Sequence, residues 1–346
     1  MKILVVRIKG LGNFILFTPT LIAIRKKFPD AKITLLADKL CAEVVNGSKL
    51  VDDIVYFNLN SRFSDKLKVL LGLRKRNFDY SILAFPAHNW RYNLFAFLIG
   101  ARKRVTHGYE VANLKSLSFL QNVKVRAIEG IHDVEQNLRL LSVFDIKDVK
   151  RELYFHLSEE DKIFANDFFK GNNLKKVIGI HPGCSEEGSY KRWPKENFSE
   201  VIQMLQRDEF DVILVAGPGE EGLVEDILGN LVKKPVIVKN MPIKRVAALV
   251  SKCIAFLSTD SGIGHISAAM GVPTLALIGP GDYRRIAPYG RRCGVITNKS
   301  ECSPCMVYPF KTDYSQYGHI KCSDAPCMKQ ITPEEVRGKL RSLITG

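Results

Sequence analysis

Short apolar runs alternate with helical periodicities along the whole chain. In the first part, residues 3–8, 33–37, 54–57, 80–84 and 104–106 read as strands. Between them a helical period appears from about Asn13 to Lys27, over the basic amphipathic stretch 61–76, over 94–99, and over 132–144 as a closing helix. The second part repeats the pattern. Residues 177–181, 212–216, 235–238, 254–258 and 274–278 predict strands, and 194–206, 220–231, 243–251 and 262–270 predict helices. A polar helical stretch over 158–173 ends in a stop signal, Gly171-Asn172-Asn173. Alternation of this kind predicts parallel βαβ units around buried sheets. The expected fold class is α/β, with two Rossmann-like domains facing each other across a cleft, residues 1–157 and 158–346. Ligands of such folds bind at the carboxyl ends of the strands.

A length of 346 residues suits two domains that need no metal or disulfide to fold. Hydrophobic residues at 46% and charged ones at 25% exclude disorder and a polytopic membrane protein. Charge changes the picture. The net charge is +15, and residues 1–150 hold 25 basic against 13 acidic side chains, a local net of +12. The remainder is near neutral. Such a field draws an acidic partner: nucleic acid, an anionic membrane surface or a phosphorylated substrate. Arg7, Lys9 and Asn13 interrupt the apolar N-terminal run, so a first strand and helix are expected there rather than a signal peptide. That predicts a cytoplasmic protein whose eight Cys serve as thiols or metal ligands.

Five segments carry candidate chemistry. Lys9-Gly10-Leu11-Gly12-Asn13 follows the first strand. Glycine permits a tight strand-to-helix turn and close approach to a ligand. The dinucleotide fingerprint is incomplete, because no third Gly follows at the required spacing. A plain tight turn with Asn13 as helix cap is the equal alternative. His181-Pro182-Gly183-Cys184-Ser185, followed by Lys191-Arg192-Trp193-Pro194, offers small residues and two cations as a phosphate cradle; a solvated basic loop anchored by Trp193 is the alternative. Thr259-Asp260-Ser261-Gly262-Ile263-Gly264-His265-Ile266 again joins strand to helix, where N–H groups and the dipole favour an anion. Gly279-Pro280-Gly281-Asp282 would close over the same crevice. Gly217-Pro218-Gly219-Glu220-Glu221 places a carboxylate where a ribose could bind, or simply starts a helix. Cys302, Cys305, Cys322 and Cys327 are a candidate tetrahedral zinc set, with reduced thiols as the alternative. Cys41, Cys184, Cys253 and Cys293 read as isolated thiols.

In this order the segments resemble glycosyltransferase family 9, the lipopolysaccharide heptosyltransferases, over nearly the whole chain. The resemblance rests on Gly10-Leu11-Gly12 with Pro19 and Leu21 after it, and on His181-Pro182-Gly183. It rests too on Lys191-x-Trp193-Pro194, Asp260-Ser261-Gly262-x-x-His265, and Cys302-x-x-Cys305 leading to Cys327-Met328 and Ile331. It implies the two-domain GT-B arrangement and transfer of heptose from an ADP-sugar to the lipopolysaccharide inner core, with inversion and without metal or other cofactor. Residues 1–157 would bind the acceptor through Gly10, Gly12 and Asn13; residues 158–346, with a Cys-rich segment 302–327, would bind the nucleotide-sugar. Lys191 would stabilise the departing diphosphate. Gly183, Ser185, Asp260, Ser261, Gly262 and His265 would surround that diphosphate, and Glu220 or Glu221 the ribose. The implied partners are ADP-heptose, an anionic glycolipid acceptor and the cytoplasmic face of the inner membrane.

One departure stands out. The family usually carries Asp, as general base, where this chain has Asn13. Asn13 then either orients the acceptor hydroxyl while another group, such as Asp38, His107 or Glu110, takes the proton, or activity is weak, or the acceptor differs. Three other functions compete: a transferase for another nucleotide-sugar, a sugar-nucleotide-binding protein without catalysis, and a nucleic-acid binder. The last is disfavoured because Tyr92, Phe95 and Phe97 near Arg91 fall at helical spacing and read as core. Residues 61–76 combine six Lys and Arg with five Leu and Val and read either as a membrane-surface helix or as a core helix with a basic outer face.

Overall fold

The computed structural model describes all residues except 110–112, 185, 298–299, 302, 307–324 and 346. The chain forms two compact units, Met1–His156 and the described residues from Leu157 onward. The first contains β1 (Lys2–Val6), β2 (Lys32–Ala37), β3 (Asp53–Tyr56), β4 (Tyr80–Leu83), β5 (Lys103–Gly108) and β6 (Val123–Arg126). The second contains β7 (Val177–His181), β8 (Asp211–Val215), β9 (Val236–Val238), β10 (Ala255–Thr259), β11 (Thr274–Leu277) and β12 (Cys293–Ile296).

Each unit is one parallel sheet. The orders are β3-β2-β1-β4-β5-β6 and β12-β11-β10-β7-β8-β9. Counted from its own first strand, the second sheet repeats the order of the first, and both are the doubly wound Rossmann order. In each, the chain reverses direction of travel across the sheet between its first and fourth strands. Those switch points, β1/β4 and β7/β10, are where such folds bind ligands.

Helices on both faces explain the continuous apolar strands. Across the second sheet, Ile178, Ile180, Leu214, Leu257 and Leu277 point to a core shared with Trp193, Phe198 and Leu340, while Val177, Ile213 and Phe256 point to the opposite core with Ala165 and Leu249. In the first unit, Leu4, Val6 and Leu83 pack against Leu73, Ala96 and Ile99. The polar helical stretch expected over 158–173 is the helix Glu159–Gly171, opened by a capping box in which Ser158 and Asp161 satisfy each other's backbone N–H.

Three differences from the sequence reading have physical causes. The helix expected from Asn13 to Lys27 is two helices, Leu11–Ile15 and Thr18–Lys27, because Pro19 in the second one's first turn has no N–H to continue the ladder. Asn13 is therefore inside a helix and not its cap; Gly10 holds that place at φ 95°, a left-handed value that favours glycine. The edge strands β6 and β12 were not legible, because short, half-exposed segments lack a clear period; the helix Pro333–Thr345, which buries Pro333, Val336 and Leu340, was missed although its spacing was readable.

Candidate active site

The second switch point is tied together by one histidine. His181 ends β7 and is 4% exposed. Its Nδ1 lies 2.9 Å from Ser261 Oγ and its Nε2 lies 3.1 Å from Glu220 Oε2. Gly217 N–H donates to the same carboxylate oxygen at 2.6 Å. Burial pushes the Glu220 carboxyl up, but His181, the Gly217 N–H and Arg192 outweigh it and hold it below the ordinary value. An ionised carboxylate only accepts, so Nε2 carries the proton; in the neutral ring Nδ1 then accepts from the Ser261 hydroxyl. The loops after β7, β8 and β10 are thereby locked through His181.

Two consequences follow. Ser261 is the N-cap of the helix Gly262–Ala269 but makes no side-chain capping bond. The first-turn N–H groups thus get no bond from the Ser261 side chain, and N–H groups in that position can bind an anion. Gly183, two residues beyond β7, has no room for a side chain, since a Cβ there would fall 1.9 Å from Glu220 Oε1. Its carbonyl accepts from the Thr259 hydroxyl. Gly183→Ala is expected to displace Glu220 and break the His181 contact, lowering stability by about 2–4 kcal/mol as a buried ionic network is broken. Thermal or urea unfolding measures it.

Lys191 supplies the positive charge. Its Nζ donates to Asp260 Oδ2 at 2.6 Å, and the two side chains are 19% and 13% exposed. Burial lowers the Lys191 pKa, but Asp260 raises it more, so the ammonium stays charged. The spacing Lys191-x-Trp193 has a packing reason. Trp193 is buried edge-on to Phe198, 4.9 Å between ring centroids, and its indole N–H donates to Ile331 O at 2.9 Å. Met328 and Ile331 of the tail motif sit in the same core. The turn after β11 is also braced: Pro280 O accepts from the N–H groups of Cys305 at 3.1 Å and Met306 at 2.9 Å. Asp282 is gripped by the Arg284 guanidinium at 2.8 and 3.0 Å.

At the first switch point, Gly10, Gly12 and Asn13 follow β1 as expected, and Arg7 sits beside them, 4% exposed. An ideal Cβ on Gly10 would lie 2.9 Å from Arg7 Nη2 and 3.0 Å from Asn13 Nδ2. One of the substitute bases falls away. His107 is fully buried, edge-on to Phe85, donates Nε2–H to Gln136 O at 2.9 Å, and is held by burial down at about 4. Asp38 accepts from Cys41 N–H at 2.7 Å as a helix cap. Glu110 lies outside the described residues.

The signature of glycosyltransferase family 9 (heptosyltransferase) matches residues 67–314. This chain belongs to that family. It is 26% identical to lipooligosaccharide heptosyltransferase 2 of Campylobacter jejuni, over 99% of this chain and 98% of that one. Its fold is that of the Escherichia coli ADP-heptose lipopolysaccharide heptosyltransferase II structure, with TM-score 0.76 at 20% identity over 100% of this chain and 99% of that one. The Escherichia coli heptosyltransferase WaaC structure with ADP-2-deoxy-2-fluoro heptose gives TM-score 0.71 at 17% identity, over 99% of each chain.

In this family 9 transferase, the structure brings Gly183, Lys191, Asp260, Ser261 and Gly262 to one end of the second sheet, with His265 buried in the same helix. Ser185 lies outside the described residues. The Glu220 carboxylate is engaged inside the unit, whereas the half-buried Glu221 opens the helix Glu221–Gly229. His181 and Thr259 lay within the segments singled out from sequence but were given no role of their own, although a histidine closing a five-residue buried strand was a readable signal. Of the candidate zinc set, Cys302 and Cys322 lie outside the described residues. Cys305 Sγ lies 3.8 Å from Pro280 O, and Cys327 packs against Gly279. Among the described residues no group of three or more His, Cys, Asp or Glu is arranged to hold a metal. Cys41, Cys184, Cys253 and Cys293 are free, and burial raises all four thiols, Cys293 to about 11.

Proposed function

We propose that this chain is an inverting glycosyltransferase that moves a heptose from an ADP-activated donor to the inner core of lipopolysaccharide. The observation that carries the donor half is the pairing of an uncapped helix start at Gly262 with the charged, half-buried Lys191 at the second switch point. Backbone N–H groups and a buried ammonium are what a diphosphate needs. The donor's diphosphate takes the Gly262 N–H groups and Lys191, with Gly183 giving close backbone approach and Asp260 aiming the ammonium. His181 and Glu220 hold Ser261 and the loops in register, and Glu221 faces the ribose.

The acceptor belongs to the first unit, whose surplus of cations suits an anionic glycolipid. The acceptor hydroxyl attacks the anomeric carbon on the face opposite the diphosphate. The new carbon–oxygen bond forms as the bond to the β-phosphate oxygen breaks, and that electron pair leaves with ADP. Lys191 meets the growing charge. The hydroxyl proton leaves to solvent or to a group other than Asn13, since an amide does not accept it at neutral pH.

Membrane contact would run through the first unit. No helix among the described residues is long and apolar enough to cross a membrane. The helix Phe63–Arg74 buries only Leu73 and leaves Phe63 79% exposed, with Leu67 and Leu71 also outward. On the neighbouring helix Trp90–Ile99, Phe97, expected in the core, is instead exposed with Trp90, while Asn93, Ala96 and Ile99 are buried. Arg62, Lys66 and Lys68 flank this apolar surface, which fits the cytoplasmic face of an anionic bilayer. Changing Arg62, Lys66 and Lys68 to Gln is expected to weaken sedimentation with phosphatidylglycerol vesicles at least tenfold, at about 1 kcal/mol per charge. Unchanged binding removes the proposal.

A donor panel with truncated lipopolysaccharide as acceptor, read by mass of the product, tests the whole reading. ADP-heptose should give the heptosylated product. Another productive donor would assign a different nucleotide-sugar, because contacts to a diphosphate do not read the sugar. Asn13 favours one second reading, a weak or non-catalytic sugar-nucleotide binder. ADP binding without transfer from any donor would establish it.

A further inference from the structure

We propose that Arg7 is an anion-binding residue of the acceptor site, gripping a carboxylate or phosphate group carried by the acceptor. This rests on the acceptor being bound by the first unit. Arg7 follows β1 at the β1/β4 switch point and is 4% exposed. Its Nη1 donates to Ala84 O at 3.4 Å and Pro86 O at 3.0 Å, just past β4. Nε is buried without a partner. Among the described residues no carboxylate lies within ion-pair distance of the guanidinium; Asp133, itself buried, acts on it only from farther away.

The neighbour at position 13 is a neutral amide. A buried guanidinium without a counter-ion is costly, and an apolar residue would serve the fold better. The unused edge, Nε with Nη2, is the one that takes an oxyanion side-on through two parallel hydrogen bonds. Gly10 borders that edge: a Cβ there would stand 2.9 Å from Nη2, so a residue without a side chain leaves the guanidinium its place. Charge and vacant donors thus coincide at the carboxyl end of the first sheet.

The experiment compares the wild type with Arg7→Met and Arg7→Lys on the intact acceptor, a methyl-esterified acceptor and a dephosphorylated one. Arg7→Met should raise the acceptor KM at least tenfold, leave the ADP Kd unchanged, and keep or raise the melting temperature. Arg7→Lys, which keeps the charge but not the planar fork, should fall between. The wild type's advantage over Arg7→Met should vanish on whichever treated acceptor has lost the recognised group, which names it as carboxylate or phosphate. An unchanged acceptor KM, or a lowered melting temperature with kcat and both KM values moving together, overturns the proposal in favour of a structural role. Should the wild type glycosylate no acceptor, the functional reading fails separately. Phosphate and acetate must then raise the wild-type melting temperature more than that of Arg7→Met, and equal responses overturn the proposal.

Discussion

Lys191→Met lowers kcat by about 10²- to 10³-fold, the loss expected when one preorganised donor to a developing charge is removed. That corresponds to about 3–4 kcal/mol of transition-state stabilisation. The effect falls on kcat more than on the donor KM. The diphosphate is already charged in the ground state, but the negative charge on its leaving oxygen grows as the glycosidic bond breaks. Lys191 is suited to this by its environment. It is mostly buried, so its field is little screened, and Asp260 at 2.6 Å keeps it protonated and aimed. Lys191→Arg keeps the charge but not the compact ammonium, and should recover part of the rate. Steady-state kinetics on the three proteins, with melting curves as a control for the orphaned Asp260, check the prediction. A loss confined to donor KM would show that Lys191 only binds the ground state.

Asn13→Asp raises kcat, by about tenfold, and leaves the ADP Kd unchanged. A positioned general base contributes about 10²- to 10⁴-fold. A smaller gain is expected here because Arg7 Nη2 and the Asn13 amide border the same space beside Gly10. A carboxylate placed there would be held ionised by Arg7 and would be a correspondingly weaker base. The same pairing gives a second reading in the same assay. Asp at this position neutralises Arg7 from within, so the acceptor KM should rise as kcat rises. Initial rates over a matrix of donor and acceptor concentrations separate the two effects. A fall in kcat would mean that the proton is already taken elsewhere and that Asn13 is needed as an amide to orient the hydroxyl.

Much of the fold was legible because parallel strands buried on both faces leave a strong mark. Residues 177–181 and 254–258 read as strands, and the strands Val177–His181 and Ala255–Thr259 are buried at every position. The segments after those strands were legible for the same reason: glycine, serine and histidine directly after an apolar run signal a ligand-facing turn. The reading failed where the cause was not local. Nothing near Phe97 in sequence says that Asn93, rather than the aromatic ring, turns inward; there Asn93 donates to Ala87 O at 2.7 Å and receives Gln121 Nε2 on its own carbonyl at 2.8 Å. His107 was a candidate base near a strand end, yet it is fully buried, with Nε2 on the Gln136 carbonyl.

By itself the sequence determined the α/β class, the repeated βαβ rhythm, the basic first half and the glycine-rich turns, since each depends only on residue type and spacing. Tertiary structure alone decided that His181, 39 residues from Glu220 and 80 from Ser261, joins them, that Glu220 fills the space of a missing Gly183 side chain, and that Arg7 lies buried without a counter-ion. Those facts depend on which strand ends become neighbours and on what the packing seals off from water. A linear pattern encodes the period of an element but not the partners that desolvation and close contact assign to it.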